Sequence, residues 1–335
     1  MGTIKKLITS RRYNTWPSWD VVFEWEDVFR EVFDWEFSFE PSINKRAKRI
    51  PVAFLTRLLH TSEPAFLFQM SPDKTGGYNK PNIIPCLVDF FLDEKKLPRF
   101  YRTNSRHPFL LVSSLEVIDY LEAHQCPVPL YHFPLSISDK YAFSSDSLKE
   151  KKYDLVQVGR TNPVMMGYLR QYAGSHPDFY YVYREQKGDV FNYYTSRGEY
   201  LGDISTREQY MSLLRQSRVG LYATPGMDTD RTNGFNPVTP RFLEMVVSGC
   251  HVLARYPATS ETAFFELSKF SPSIDSYELF EARMDQALSR EVDAAFYTSY
   301  LAKHYTSTRC ALLKDLLKQY TFDADRNYWR RNIGA

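Results

Sequence analysis

The feature that most narrows the fold of this chain is a regular alternation of short apolar runs with segments of helical spacing. Runs rich in β-branched and aromatic residues fall at 65–69, 82–91, 109–112, 153–158, 179–183, 219–223 and 251–256. Segments 115–124, 163–173, 207–216, 239–248 and 277–288 instead space their apolar residues three and four apart. That is the period of a helix with one buried face. Strands that alternate with helices build parallel sheets covered by helices, so the fold class expected is α/β. With 335 residues the chain is long enough for two such domains. The polar, serine-rich stretch 136–152 has no sustained apolar period and reads as a linker. It divides a first α/β domain at 1–140 from a second at 150–305. The remainder, 306–335, opens with a helix-like stretch, and a crossing back to the first domain is one route open to it. Two domains of this kind bind ligand in the cleft outside the carboxyl ends of their strands.

Composition removes several classes of function. A hydrophobic fraction of 43% with a net charge of +2 excludes a disordered chain. No apolar run approaches the roughly 20 residues of a membrane helix. The start, MGTIKKLITSRRYN, has lysines but no apolar stretch behind them, unlike a secretory signal. Cys86, Cys126, Cys250 and Cys310 lie far apart with no CxxC spacing. That argues against a zinc site or a disulfide scaffold and suits the cytoplasm. Neither a resident metal nor a cofactor is expected. A near-neutral charge without a recognition motif argues against nucleic acid. GxxxxGK[ST], HExxH and GxGxxG are all absent, which leaves P-loop, zinc-protease and dinucleotide readings without support. The oligomeric state is not fixed by any of this.

Charge is distributed unevenly. Residues 20–40 hold eight acids and one base, whereas 45–106 hold twelve bases and five acids. The two stretches either complement each other or leave a basic rim that attracts phosphate or an anionic membrane. Lys45, Arg46, Lys48 and Arg49 precede an apolar, helix-like stretch at 52–59. That pattern suits peripheral contact with the inner face of a membrane.

The densest chemical constellation lies at 224–250. A loop rich in Gly, Pro, Asn and Asp follows one apolar strand and leads through Thr239-Pro240 into a helix that stops at Ser248-Gly249. Thr as N-cap and Pro at the first helical position mark the start. A helix N-terminus after a loop at a strand end favours a phosphate, through its free N–H groups and its dipole. Arg241 stands in the first turn, where a cation is unfavourable unless an anion is near. Glu244, three residues on, shares its face. Upstream, Gly159 and Arg160 close the strand YDLVQV.

These stretches resemble the donor half of GT-B glycosyltransferases of the retaining family-four type. TPRFLEMVVSGCHVLARY is similar to that family's acid-bearing helix and following strand. YDLVQVGR resembles its opening strand with Gly-Arg, and YLGDISTREQYMSLLRQSRVGLYATPG its turn, helix and next strand. PFLLVSSLEVIDYLEAHQCPVPLYHFPLSI resembles the last strands of the acceptor domain. The resemblance implies two Rossmann-like domains facing each other across a cleft. It implies transfer of a sugar from a nucleotide-diphosphate donor to a glycan or lipid-linked acceptor, without a metal and with retention. Glu244 would accept hydrogen bonds from the ribose hydroxyls. Arg160 and the amides of Val238 and Thr239 would hold the leaving diphosphate, with Arg241 and Arg231 behind them. Gly159, Gly234 and Asn236 would lie close to the donor. Asp89, after the apolar run 83–88, would line the reaction centre and activate the acceptor hydroxyl.

The chain departs from the family pattern at three points. Asn236 stands where the first of two glutamates is usual, and no Lys follows Arg160 within five residues. No Gly lies between Gly2 and Gly76, where a Gly-rich loop is usual. The residues thus leave open a glycosyltransferase, another enzyme on the same scaffold such as a nucleotide-sugar epimerase, and a non-catalytic nucleotide-sugar binding protein.

Overall fold

The apolar runs become strands of two separate sheets in the structure, a computed structural model that describes residues 4–12, 14, 17–39, 63–70, 78–149, 151–187 and 190–332. The basic cluster at 45–49 and the apolar stretch at 52–59 lie outside the described residues. The chain divides into two units, Met1–Asp139 with Tyr305–Ala335, and Lys140–His304.

The first unit runs β1 (Lys6–Thr9), α1 (Pro17–Phe33), β2 (Glu36–Phe39), β3 (Ala65–Gln69), β4 (Ile83–Leu87), α2 (Leu97–Asn104), β5 (Leu110–Val112), α3 (Leu115–Ala123) and β6 (Leu130–His132). Its six strands lie in the order β2-β1-β3-β4-β5-β6, every pair parallel. All residues of β3, β4 and β5 are buried, as a parallel sheet covered on both faces requires. The acid-rich stretch after residue 17 is the amphipathic helix α1. Val22, Trp25 and Phe29, at helical spacing, are buried, while Asp27, Arg30 and Glu31 face solvent. Phe29 is the hub of the aromatic core, 5.3 Å from the rings of both Phe66 and Phe68 and 5.9 Å from Trp35.

Glu26 sits on the inner side of α1. Its Oε2 accepts from Thr9 Oγ1 at 2.7 Å and from Arg11 Nε at 2.9 Å. Burial nevertheless pushes its carboxyl up to about 7, against the opposing pull of those two bonds.

The second unit runs β7 (Tyr153–Val156), α4 (Pro163–Ser175), β8 (Tyr181–Lys187), β9 (Val190–Thr195), β10 (Tyr200–Asp203), α5 (Arg207–Arg215), β11 (Ser217–Ala223), α6 (Pro240–Val247), β12 (His251–Arg255), α7 (Ser260–Phe264), α8 (Tyr277–Ser289) and α9 (Ala294–Leu301). The sheet order is β10-β9-β8-β7-β11-β12. Strands β8, β7, β11 and β12 pair in parallel. Leu155, Val219, Leu221 and Leu253 of this sheet pack against Leu169 and Tyr172 of α4 and Phe280 and Met284 of α8. The wholly parallel sheet expected from the alternation is corrected at one edge, where β8, β9 and β10 form an antiparallel meander. Strand β9 is only half buried and rich in polar and tyrosine residues. It therefore lacks the continuous apolar run by which the buried strands announce themselves.

The stretch 136–152 is not a free linker. Ser136, Ile137 and Ser138 are buried, and two short 3-10 turns follow at Asp139–Tyr141 and Ser145–Leu148. Ser136 is held because its carbonyl accepts from Trp25 Nε1 at 3.0 Å and its hydroxyl meets Thr306 Oγ1 at 3.1 Å. Tyr305 bridges to Ile137. From there α10 (Thr306–Leu317) packs on α1, and the hairpin of β13 (Tyr320–Asp323) and β14 (Tyr328–Arg331) closes the unit. Buried Arg309 fastens this return segment by donating to the carbonyls of Pro134 at 2.7 Å and Leu135 at 3.1 Å. Among the described residues no helix is long and apolar enough to cross a membrane.

Glu26 gives the first unit a pH signature. Its folded pKa lies above the ordinary value of 4.5, so folding takes up a proton between the two. The stability this contributes is complete below pH 4.5 and is lost as pH rises through about 7. Glu26→Gln should remove that dependence. Urea titrations should show the wild-type-minus-variant difference in unfolding free energy falling by about 1–3 kcal/mol across this window and flat on either side.

Candidate functional site

The loop between β11 and α6 is fixed at its first turn by one carboxylate. Asp228, in the left-handed region at φ 59°, receives Arg255 Nε at 2.6 Å and Nη2 at 2.9 Å, and Asn162 Nδ2 at 2.8 Å. The remaining Arg255 nitrogen, Nη1, reaches the carbonyl of Ile274 at 2.7 Å. Asn162 also caps α4, its Oδ1 accepting from the Met165 amide at 3.0 Å, a cap worth about 0.5–2 kcal/mol. The Arg255 guanidinium beside Asp228 holds its carboxyl below the usual range. Thus the turn after β7, the loop after β11 and the end of β12 are tied at one point.

The sequence-predicted residues of the second unit fall into distinct environments. Arg160, Arg231 and Gly234 are exposed, and Gly234 takes φ 85°. Asn236 is buried and turned inward. Its Oδ1 accepts from Thr224 Oγ1 at 2.8 Å and its Nδ2 donates to the carbonyl of Gly234 at 2.9 Å. Its amide therefore holds the loop. The Val238 and Thr239 amides, expected at the leaving diphosphate, have acceptors within the chain. Val238 N–H donates to Glu261 Oε1 at 3.3 Å and Thr239 N–H to the Tyr222 hydroxyl at 3.0 Å. A buried backbone donor is costly to leave unpaired, and α7 and β11 supply acceptors before any ligand does.

Gly159 and Arg241 come together. A Cβ on Gly159 would lie 2.1–2.4 Å from the Arg241 guanidinium, and Gly159 adopts φ 68°. Only glycine allows both the turn and so close an approach. Glu244 does not pair with Arg241. It is buried and faces α5, with Oε1 2.7 Å from Arg207 Nη1 and Oε2 accepting from the Tyr210 hydroxyl at 2.9 Å. The Arg207 contact is an ion pair whose alignment falls short of a hydrogen bond. Burial, reinforced by the charge of Glu244, raises the Tyr210 phenol well above its ordinary pKa. Tyr210 therefore stays protonated and donates.

Sequence reasoning missed Arg207, Tyr210, Tyr193 and Arg184. Arg207 and Tyr210 carry a local signal. They lie three apart in a helix whose start is marked by the Thr206–Gln209 capping box, so they share one face. Tyr193 and Arg184 belong to the meander and stand opposite each other across β8 and β9. The Tyr193 phenol lies against the backbone of Gly159. Arg184 stacks on Phe191, 4.3 Å from the ring centroid. Burial holds its guanidinium below the ordinary pKa, with the like charge of Arg241 acting in the same direction. Asp89 belongs to the first unit, half-buried and two residues beyond β4. Among the described residues no three His, Cys, Asp or Glu side chains converge as metal ligands would.

No protein-family model matches the sequence, and no curated protein sequence matches it. Solved structures do. Sucrose-phosphate synthase from Thermosynechococcus elongatus is similar at a TM-score of 0.62 and 11% identity, over 95% of this chain and 98% of that one. A trehalose-6-phosphate structure from E. coli bound with UDP-2-fluoro glucose gives 0.53 at 14%, over 81% and 76%. An α,α-trehalose-phosphate synthase (UDP-forming) from Burkholderia vietnamiensis gives 0.50 at 14%, over 80% and 77%. The fold is the GT-B type, with two α/β units, each on a sheet with a parallel core. At these identities the likeness is one of fold.

Gly159→Ala should displace Arg241 and strain the backbone. The expected cost is about 1–2 kcal/mol of stability, with loss of any anion binding that uses Arg241. Thermal melts with and without pyrophosphate would measure both.

Proposed function

We propose that this chain is a glycosyltransferase. It moves a sugar from a nucleotide-diphosphate donor to a glycan or lipid-linked acceptor, without a metal and with retention of configuration. The observation that carries the reading is the cationic group around Gly159, on a fold whose solved examples include a UDP-forming synthase and a structure bound with a UDP-sugar analogue. In the reaction the bond from the anomeric carbon to the diphosphate breaks, and the acceptor oxygen takes its place. The departing diphosphate gathers negative charge, which Arg241 and Arg160 neutralise. Glu244 takes the ribose hydroxyls, exchanging its present partners Arg207 and Tyr210 for the diol. Asp89 is the residue that the family resemblance assigns to the acceptor hydroxyl as general base. Retention rests on the family resemblance alone.

One observation favours a second reading, a nucleotide-sugar binding protein without turnover. The carboxylate of Glu244 is already engaged, and Asn236 stands where the family carries an acid. Incubation with UDP-, GDP- and ADP-sugars separates the possibilities. Free nucleoside diphosphate signals transfer or slow hydrolysis. A changed sugar on an intact nucleotide signals an epimerase, and saturable binding alone signals the binding protein. Transfer is expected with a UDP-sugar, and Arg241→Ala should lower the rate on the order of 100-fold. Glu244→Gln should raise KM more than it lowers kcat. Absence of both turnover and nucleotide binding would overturn the proposal.

A further inference from the structure

The charges around Gly159 do not balance within the protein. Glu244, the carboxylate of this group, is matched by Arg207 at 2.7 Å. Arg184 and Arg241 remain. Among the described residues neither guanidinium makes an ion pair or a side-chain hydrogen bond. The charges that act on Arg184 come from Tyr193, Arg241 and Tyr210, with no carboxylate among them. Two half-buried like charges that repel each other are unfavourable unless something absent from the chain neutralises them.

The topology brings these two side chains in from opposite sides. Gly159 lies three residues beyond the end of β7, a strand flanked by β8 on one side and β11 on the other. Arg184 comes from β8, and Arg241 from the helix that follows β11. Tyr193, in register with Arg184, and the Arg241 guanidinium both touch Gly159. Phe191 supports one face of the Arg184 guanidinium. A stacked guanidinium keeps its in-plane N–H groups available for an oxyanion.

We propose that Arg184 is a further cation of the donor site beyond Arg160, and that Arg184 and Arg241 together hold the diphosphate. This rests on the nucleotide-diphosphate reading above and deepens it. The site then favours diphosphate-linked over monophosphate-linked donors by charge, because a donor joined through one phosphate is a diester with a single negative charge, whereas a diphosphate brings one for each guanidinium. Arg184 also supplies a charge that the residues after Arg160 do not.

The test uses the whole chain with inorganic pyrophosphate, with UDP, GDP and ADP, and with the matching monophosphates, by calorimetry and thermal shift. Wild type should prefer its nucleoside diphosphate to the monophosphate by on the order of tenfold or more. Arg184→Gln should lose that preference, with monophosphate affinity unchanged. Its ligand-free melting temperature should be equal or higher, because a repulsion is removed. Arg184→Lys, which keeps the charge but not the fork, should recover part of the preference. A retained preference in Arg184→Gln would overturn the assignment, as would equal weakening of both nucleotide types, which would place Arg184 on the nucleoside. If wild type binds pyrophosphate through Arg184 but no nucleotide, the arginine pair stands and the nucleotide reading fails. If it binds neither, both fail.

Discussion

The two-pronged contact between Arg255 and Asp228 is the constraint on which the arrangement of the second unit's loops depends. Both side chains are mostly withdrawn from water, at 14% and 20% exposure. The value of the pair is chiefly positional. Asp228 sits in a left-handed backbone conformation that a non-glycine residue adopts only when its surroundings hold it there. The same carboxylate takes a hydrogen bond from the residue that caps α4. Three chain segments that are remote in sequence thereby share one anchor. The approach of Arg241 to Gly159 is measured against that fixed frame.

Where polar groups have internal partners, the molecule has little left to offer a ligand. Asn236 spends its amide on Thr224 and Gly234. Val238 and Thr239 give their N–H groups to Glu261 and Tyr222. Glu244 is enclosed by Arg207 and Tyr210. Among the described residues, the Arg184 and Arg241 guanidiniums make no such ion pair or hydrogen bond. This division is electrostatic in origin. Backbone donors must be paired on folding, whereas a long guanidinium reaches partly into solvent and tolerates waiting for its counterion.

The parts of the fold legible in the sequence are those with a strong period or a strong punctuation mark. β3 coincides with the apolar run 65–69, and α6 starts at Pro240 as its Thr-Pro pair requires. Helix α1 is hard to read because its five acids against one base mask the apolar pattern, although Val22, Trp25 and Phe29 keep the helical spacing. The meander was hidden because Asn192 and the tyrosines beside it blur the alternation of inward and outward residues. In the site, Gly159, Arg241 and Glu244 stood out through local grammar: a strand-ending glycine, a cation in a first helical turn, and an acid one turn on. Arg184 had no such mark. Its meaning depends on which strands become neighbours, and that is settled by the sheet as a whole.

The return of the chain to its first unit bears on the order of synthesis. The second unit is one uninterrupted stretch, while the first is assembled from both ends of the sequence. Helix α1 waits uncovered for α10, and the carbonyls of Pro134 and Leu135 wait for Arg309. On a ribosome the later-made unit can therefore complete its core first. The earlier-made one lacks the cover of α10 until residues 306–317 emerge. The unit begun first is thus the one completed last.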